Sequence, residues 1–97
     1  MKSFRWNSEK NEALQSDRGL SFERIVIAIE SGGLLDVRPH PNAKRYPDQS
    51  MFVVVVDGYV CLVPFVEEED HVFLKTIIPS RKATRIYLRK AMPNDQA

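Results

Sequence analysis

A chain of 97 residues with a single cysteine is one domain, long enough to bury a modest core and unable to form an internal disulfide. Fourteen Lys and Arg against thirteen Asp and Glu leave a formal charge of +1, so bulk charge gives no pointer to a nucleic-acid partner. The first twenty residues contain no apolar leader and no later apolar run would span a bilayer, which predicts a cytoplasmic protein with no membrane partner.

Residues Ser3–Trp6 suit a short strand. Asn7, followed by Ser8-Glu9, caps a short polar helix whose narrow apolar stripe is mainly Ala13 and Leu14, and Gly19 stops it. Ser21 caps a second helix, in which Phe22, Ile25, Val26 and Ile29 fall at i, i+3, i+4, i+7 and form one buried face. Gly32-Gly33 ends it. Leu34–Arg38 reads as a strand and Pro39–Gln49 as a loop, because its three prolines cannot donate to a sheet ladder. Met51–Val56 and Tyr59–Val66 form a hairpin around Asp57-Gly58, and the acidic turn Glu67–Asp70 leads into a strand His71–Ile78. Cys61, inside an apolar run, reads as a buried packing residue.

Ser80 caps a terminal helix that turns Ala83, Tyr87 and Ala91 to the sheet. The expected fold class is α+β, with N-terminal helices and a C-terminal helix on a three- to four-stranded antiparallel sheet. It forms one domain over residues 1–92, with a disordered tail at 93–97.

The distribution of charge is more informative than its sum. From His71 to Lys90 there are six basic residues (Lys75, Arg81, Lys82, Arg85, Arg89, Lys90) and no acid. Arg81, Arg85 and Arg89 stack at i, i+4, i+8, where like charges cost roughly 0.2–0.5 kcal/mol per pair. Arg81 and Lys82 also sit in the first turn, where the helix dipole disfavours a cation by roughly 0.3–1 kcal/mol. An anionic ligand at the helix start relieves both penalties. The other reading is a solvated surface along which these side chains snorkel.

A second acid-free segment, Arg38 to Tyr46, holds His40, Lys44, Arg45 and Tyr46; with the helix it supplies two walls for a phosphate-tracking groove, Tyr46 or Tyr87 offering a face for base stacking. His40 and His71 lie far apart and the four consecutive acids cannot all face one ion, so neither metal nor cofactor is expected. No nucleophile elbow and no phosphate-binding glycine loop is present.

At the N-terminus, Phe4-Arg5-Trp6-Asn7-Ser8-Glu9-Lys10-Asn11, followed by Arg18-Gly19-Leu20-Ser21-Phe22-Glu23, resembles the opening of BrnT toxins. Those begin with an aromatic strand, a W-D-x-x-K-N-like helix start and a K-H-G-V-S-F-E-like junction. At the other end, Ile77-Ile78-Pro79-Ser80-Arg81-Lys82-Ala83-Thr84-Arg85 with Tyr87 resembles their closing I-I-S-A-R-x-A-x-x-x-E-x-x-Y segment. The chain departs from the pattern at Arg18, where the family has histidine, and in lacking the closing helix's glutamate.

The resemblance implies a RelE-like fold and the toxin role of a type II toxin–antitoxin system. It further implies metal-independent endoribonuclease activity that inhibits translation and growth, and neutralisation by a small antitoxin, usually a DNA-binding ribbon-helix-helix protein, in a hetero-oligomer. Metal-free RNA cleavage needs a base for the 2′-hydroxyl proton, cations for the crowded phosphorane and an acid for the leaving oxygen. On this reading Arg81 and Arg85, assisted by Lys82, stabilise the phosphate; His40, His71 and Tyr87 are the proton-transfer candidates. Arg18, Lys44, Arg45, Tyr46, Lys75 and Arg89 contact RNA. The alternatives are a non-enzymatic toxin or adaptor that binds a protein target with the same surface, and a plain nucleic-acid-binding regulator.

Overall fold

Side-chain caps set where the helices begin. The computed structural model describes residues 2–90, side chains at 89 and 90 excepted. The first strand, β1 (Ser3–Arg5), leads into α1 (Ser8–Arg18), where Asn7 Oδ1 accepts the Lys10 N–H at 2.9 Å. In α2 (Phe22–Ala28), Ser21 Oγ accepts the Arg24 N–H at 3.2 Å. A wide turn, Ile29–Gly33, closes α2. A Cβ on Gly33 would lie 2.8 Å from the Ala28 carbonyl oxygen and 2.9 Å from that of Val55, so only glycine lets the chain pass between them.

Three strands follow: β2 (Leu34–Pro39), β3 (Gln49–Val56) and β4 (Tyr59–Glu67). Asp57 and Gly58, at φ 52° and 78°, join β3 to β4 in the primed turn that matches strand twist. Then come β5 (His71–Leu74), β6 (Ile78–Pro79) and α3 (Arg81–Lys90). The architecture is α+β, three helices on a sheet ordered β1-β5-β4-β3-β2, with β6 also paired to β4.

The sheet is mixed and larger than the three- to four-stranded antiparallel sheet expected from sequence. β1 runs parallel to β5, with Ser3 opposite His71 and Arg5 opposite Phe73. The expected strand His71–Ile78 is broken after Leu74: Lys75 N–H turns to the Pro64 carbonyl at 2.8 Å, and pairing with β4 resumes at Ile78. Two residues assigned to the loop belong to strands: Gln49 opens β3, and Pro39 ends β2 on the sheet's edge, where a missing N–H costs least. Glu67 likewise extends β4 rather than opening the acidic turn. The tail expected at 93–97, and Ala91, lie outside the described residues.

Strand alternation divides the core between the two faces of the sheet. Val54, Val56, Cys61, Val63 and Phe65 face α1 and α2, where they pack with Leu14, Phe22, Ile25 and Ile29. Their neighbours Val53 and Val60 face α3 and pack with Ala83, Tyr87 and Leu88. Cys61 is buried, and burial pushes its thiol pKa up, consistent with a packing residue. Among the described residues no helix is long and apolar enough to cross a membrane.

One side chain holds the α1–α2 junction together. Asn11 Oδ1 accepts the buried Phe22 N–H and its Nδ2 donates to Glu23 Oε1, both at 2.8 Å. The second bond holds the Glu23 carboxyl below the usual range. Asn11→Ala strands that N–H without a partner and is expected to cost about 1–3 kcal/mol. Urea denaturation followed through the lone tryptophan, Trp6, measures it; a loss well under 1 kcal/mol would show that the clasp is redundant.

Candidate functional site

The placement of α3 follows from two bonds to one residue of β4. Ser80 N–H donates to the Val60 carbonyl at 2.9 Å, and Val60 N–H donates to Thr84 Oγ1 at 2.8 Å. Ser80 Oγ caps the helix by accepting the Ala83 N–H at 3.0 Å. So pinned, α3 crosses the sheet face opposite α2 and leaves a groove of about 440 Å3 between itself and the end of β2. Met51, Val53, Leu62 and Ile86 give the groove an apolar floor, and Arg38, His40, Lys82 and Tyr87 supply its polar groups.

In the edge strand β2, Asp36 and Arg38 sit opposite Val53 and Met51, on the α3 side of the sheet. Tyr87 reaches back from α3 to both. Its hydroxyl donates to Asp36 Oδ2 at 2.7 Å, and its oxygen accepts from Arg38 Nη1 at 3.2 Å. The Tyr87 hydroxyl, helped by the Val37 N–H, holds the Asp36 carboxyl below the usual range; the same hydroxyl, with Asp36 nearby, raises Arg38 further. The guanidinium is an exposed cation tethered to α3 by that one bond.

A depressed carboxylate stabilises the fold above the ordinary aspartate value of about 3.9 and loses that contribution as pH falls through its lowered value. The stability difference between the wild type and Asp36→Asn is accordingly expected to be full at pH 7 and to shrink below about pH 3.9. Urea titrations at a series of pH values test this. A difference independent of pH would show that the Asp36 charge is not what is being lost.

His40 is fixed by the loop that follows β2. Its Nδ1 accepts the Asn42 N–H at 3.0 Å, which requires that nitrogen to be unprotonated and puts the neutral ring's proton on Nε2. The ring lies 4.7 Å from that of Tyr46, and the Arg45 guanidinium stands 5.6 Å from the far end of this ladder, the Tyr46 centroid. A loop of 40–48 thus presents planar groups in series, ending at the groove wall.

Of the catalytic residues expected from sequence, the groove gathers Lys82, His40 and Tyr87 but not Arg81 or Arg85. Both of these are exposed and lie two residues from buried Ala83, about 200° around the helix and so on its outward side. Of the expected RNA contacts, Arg45 and Tyr46 belong to the ladder beside the groove, and Lys44 is exposed in the same loop. Arg18 lies by a separate hollow with Lys10 and Asp17 of α1. Lys75 stands 5.4 Å from the Phe73 ring, and Arg89 belongs to α3, its side chain outside the described residues.

His71 does not line the groove; it pairs with Asp70 at 2.8 Å, which lowers the Asp70 carboxyl. Among the described residues no three His, Cys, Asp or Glu side chains gather as a metal cluster.

Sequence reasoning assigned no role to Asp36 and took Arg38 only as the first residue of the acid-free segment lining the expected groove. Their i, i+2 spacing in a strand, an acid and a base directed to one face, was the available signal. No protein-family model, curated protein or solved structure matches the chain.

Proposed function

We propose that the protein is a metal-independent endoribonuclease with a RelE-like fold, the cytoplasmic toxin of a toxin–antitoxin pair of the BrnT kind, held inactive by a small antitoxin that covers its basic groove. The observation that carries this reading is the convergence of Arg38, His40, Lys82 and Tyr87 on one groove from segments more than forty residues apart. Arg38 and Lys82 meet the non-bridging oxygens of a phosphate and stabilise the charge that builds up as the 2′-oxygen attacks. His40 donates a hydrogen bond through Nε2–H to the phosphorane and keeps its proton, while water takes the 2′-hydroxyl proton and supplies one to the departing 5′-oxygen. Tyr87 holds Arg38 in place, its own proton committed to Asp36.

The test is incubation of purified protein with RNA in excess EDTA, followed by mapping of the ends. Cleavage leaving 2′,3′-cyclic phosphate or 3′-phosphate ends is expected. RNA bound but intact would overturn the nuclease in favour of a non-enzymatic toxin or adaptor. One observation favours that second reading: His40 Nδ1 and the Tyr87 hydroxyl proton are both engaged within the protein, an arrangement suited to binding without proton transfer.

A further inference from the structure

The groove is unlike a plain phosphate track in one respect: most of its lining is apolar. Met51 and Val53 from β3, Leu62 from β4 and Ile86 from α3 form a floor with no hydrogen-bonding side chain, while the cations stand at the rim. Met51 and Val53 are buried, but Ile86 is 44% exposed, although it lies on a helix with polar positions to spare. With them it leaves an apolar lining open beside the cations Arg38 and Lys82, a mixed surface that suits a flat ring carrying an anionic group.

We propose, building on the ribonuclease reading, that this groove seats one unpaired nucleotide of single-stranded RNA. The base lies on the Met51–Val53–Leu62–Ile86 floor and its phosphate at the Arg38–Lys82 rim. The lining favours a nucleotide over a peptide helix: α3 contributes a single exposed apolar side chain to the groove, Ile86. A docked amphipathic helix, by contrast, uses anchors spread over two or more turns. The charge pattern agrees, since Arg38 and Lys82 line the groove and no Asp or Glu among the described residues does. The Arg45–Tyr46–His40 ladder ends on the same wall and offers planar surfaces to a neighbouring base.

A floor without donors or acceptors reads the shape of a base and not its edge, so the seat accepts any base. It rejects paired ones, whose faces are already stacked inside a duplex.

The experiment measures affinity for a 2′-O-methyl RNA octamer, which cannot be cleaved, as a single strand and annealed to its complement. The proteins are the wild type, Ile86→Glu, and Ile27→Glu, the same substitution at an exposed position of α2 on the opposite face. The single strand is expected to bind the wild type about tenfold tighter than the duplex, and Ile86→Glu to lose about tenfold for the single strand alone. Ile27→Glu is expected to leave both unchanged.

Equal wild-type affinity for the two forms overturns the nucleotide seat even should Ile86→Glu fail to fold. Unchanged single-strand binding by folded Ile86→Glu overturns it too, and if that variant instead loses an acidic amphipathic peptide, the groove belongs to a protein partner. In either case cleavage of unmodified RNA by the wild type leaves the ribonuclease reading standing. Neither binding nor cleavage by the wild type removes that reading and the seat together.

Discussion

Replacing Arg38 by alanine is expected to lower the rate of RNA cleavage about a hundredfold or more, the scale on which loss of one fixed electrostatic donor acts. The side chain is tethered by the Tyr87 oxygen at 3.2 Å and lines the groove with Lys82, so its charge is already turned to the groove before substrate arrives. A cation that needs no reorganisation is worth more to a transition state than one that must be drawn in from solvent. Arg81→Ala/Arg85→Ala, which removes twice the charge from the outward side of α3, is expected to do less, acting through general attraction of RNA and fading as salt is raised. Single-turnover cleavage of a short RNA in EDTA, at two ionic strengths, compares the two variants. If the double variant were the more damaged at high salt, the reacting phosphate would have to sit on the outer side of the helix, and the groove would not be the active site.

Phe22→Ala is expected to cost about 3–5 kcal/mol, the usual loss when a buried aromatic ring is removed. That is a large part of the roughly 5–15 kcal/mol by which a domain is stable. Phe22 is 0% exposed, and its ring stacks on that of Trp6 with centroids 5.6 Å apart. The same residue's N–H is the group that Asn11 satisfies, so the substitution loosens the α1–α2 junction as well as the core. A fall in melting temperature of at least about 12 °C follows for a chain of this size. Trp6 emission reports the transition directly, because unfolding exposes the indole to water. A fall of only a few degrees would mean that the helices do not depend on this face for their docking.

What the sequence made legible is what short-range physics decides. The Asn7, Ser21 and Ser80 caps and the Asp57-Gly58 turn each rest on contacts within a few residues, and each is found where the local pattern places it. The faces of β3 and β4 follow from alternation alone. Pairings decided by distant parts of the chain were not legible. β1 finds β5 across nearly the whole chain, and Asp36, Arg38 and Tyr87 meet across about fifty residues of intervening sequence.

The outward placement of Arg81 and Arg85 was implicit all along. The helical wheel that turns Ala83 and Tyr87 toward the sheet turns residues 81 and 85 away from it, whereas crowding of like charge favoured a ligand between them. In the N-terminal segment that carries the resemblance, Asn11, Phe22 and Glu23 form one clasp; that part of the likeness concerns how the helices are joined, and the groove is built elsewhere, with β2 and α3 among its walls.

Of the strands described, the earliest in the chain pairs with one made much later. β1 has no partner until His71–Leu74 has been synthesised, at about 5–20 residues per second. A nascent chain halted before that point has Phe22 and Phe52 for Trp6 and Phe4 to pack on but no strand for β1 to pair with. A chain cut short upstream of β5 therefore keeps an open edge at β4, and β1 joins the sheet only once residues 71–74 have been added between them.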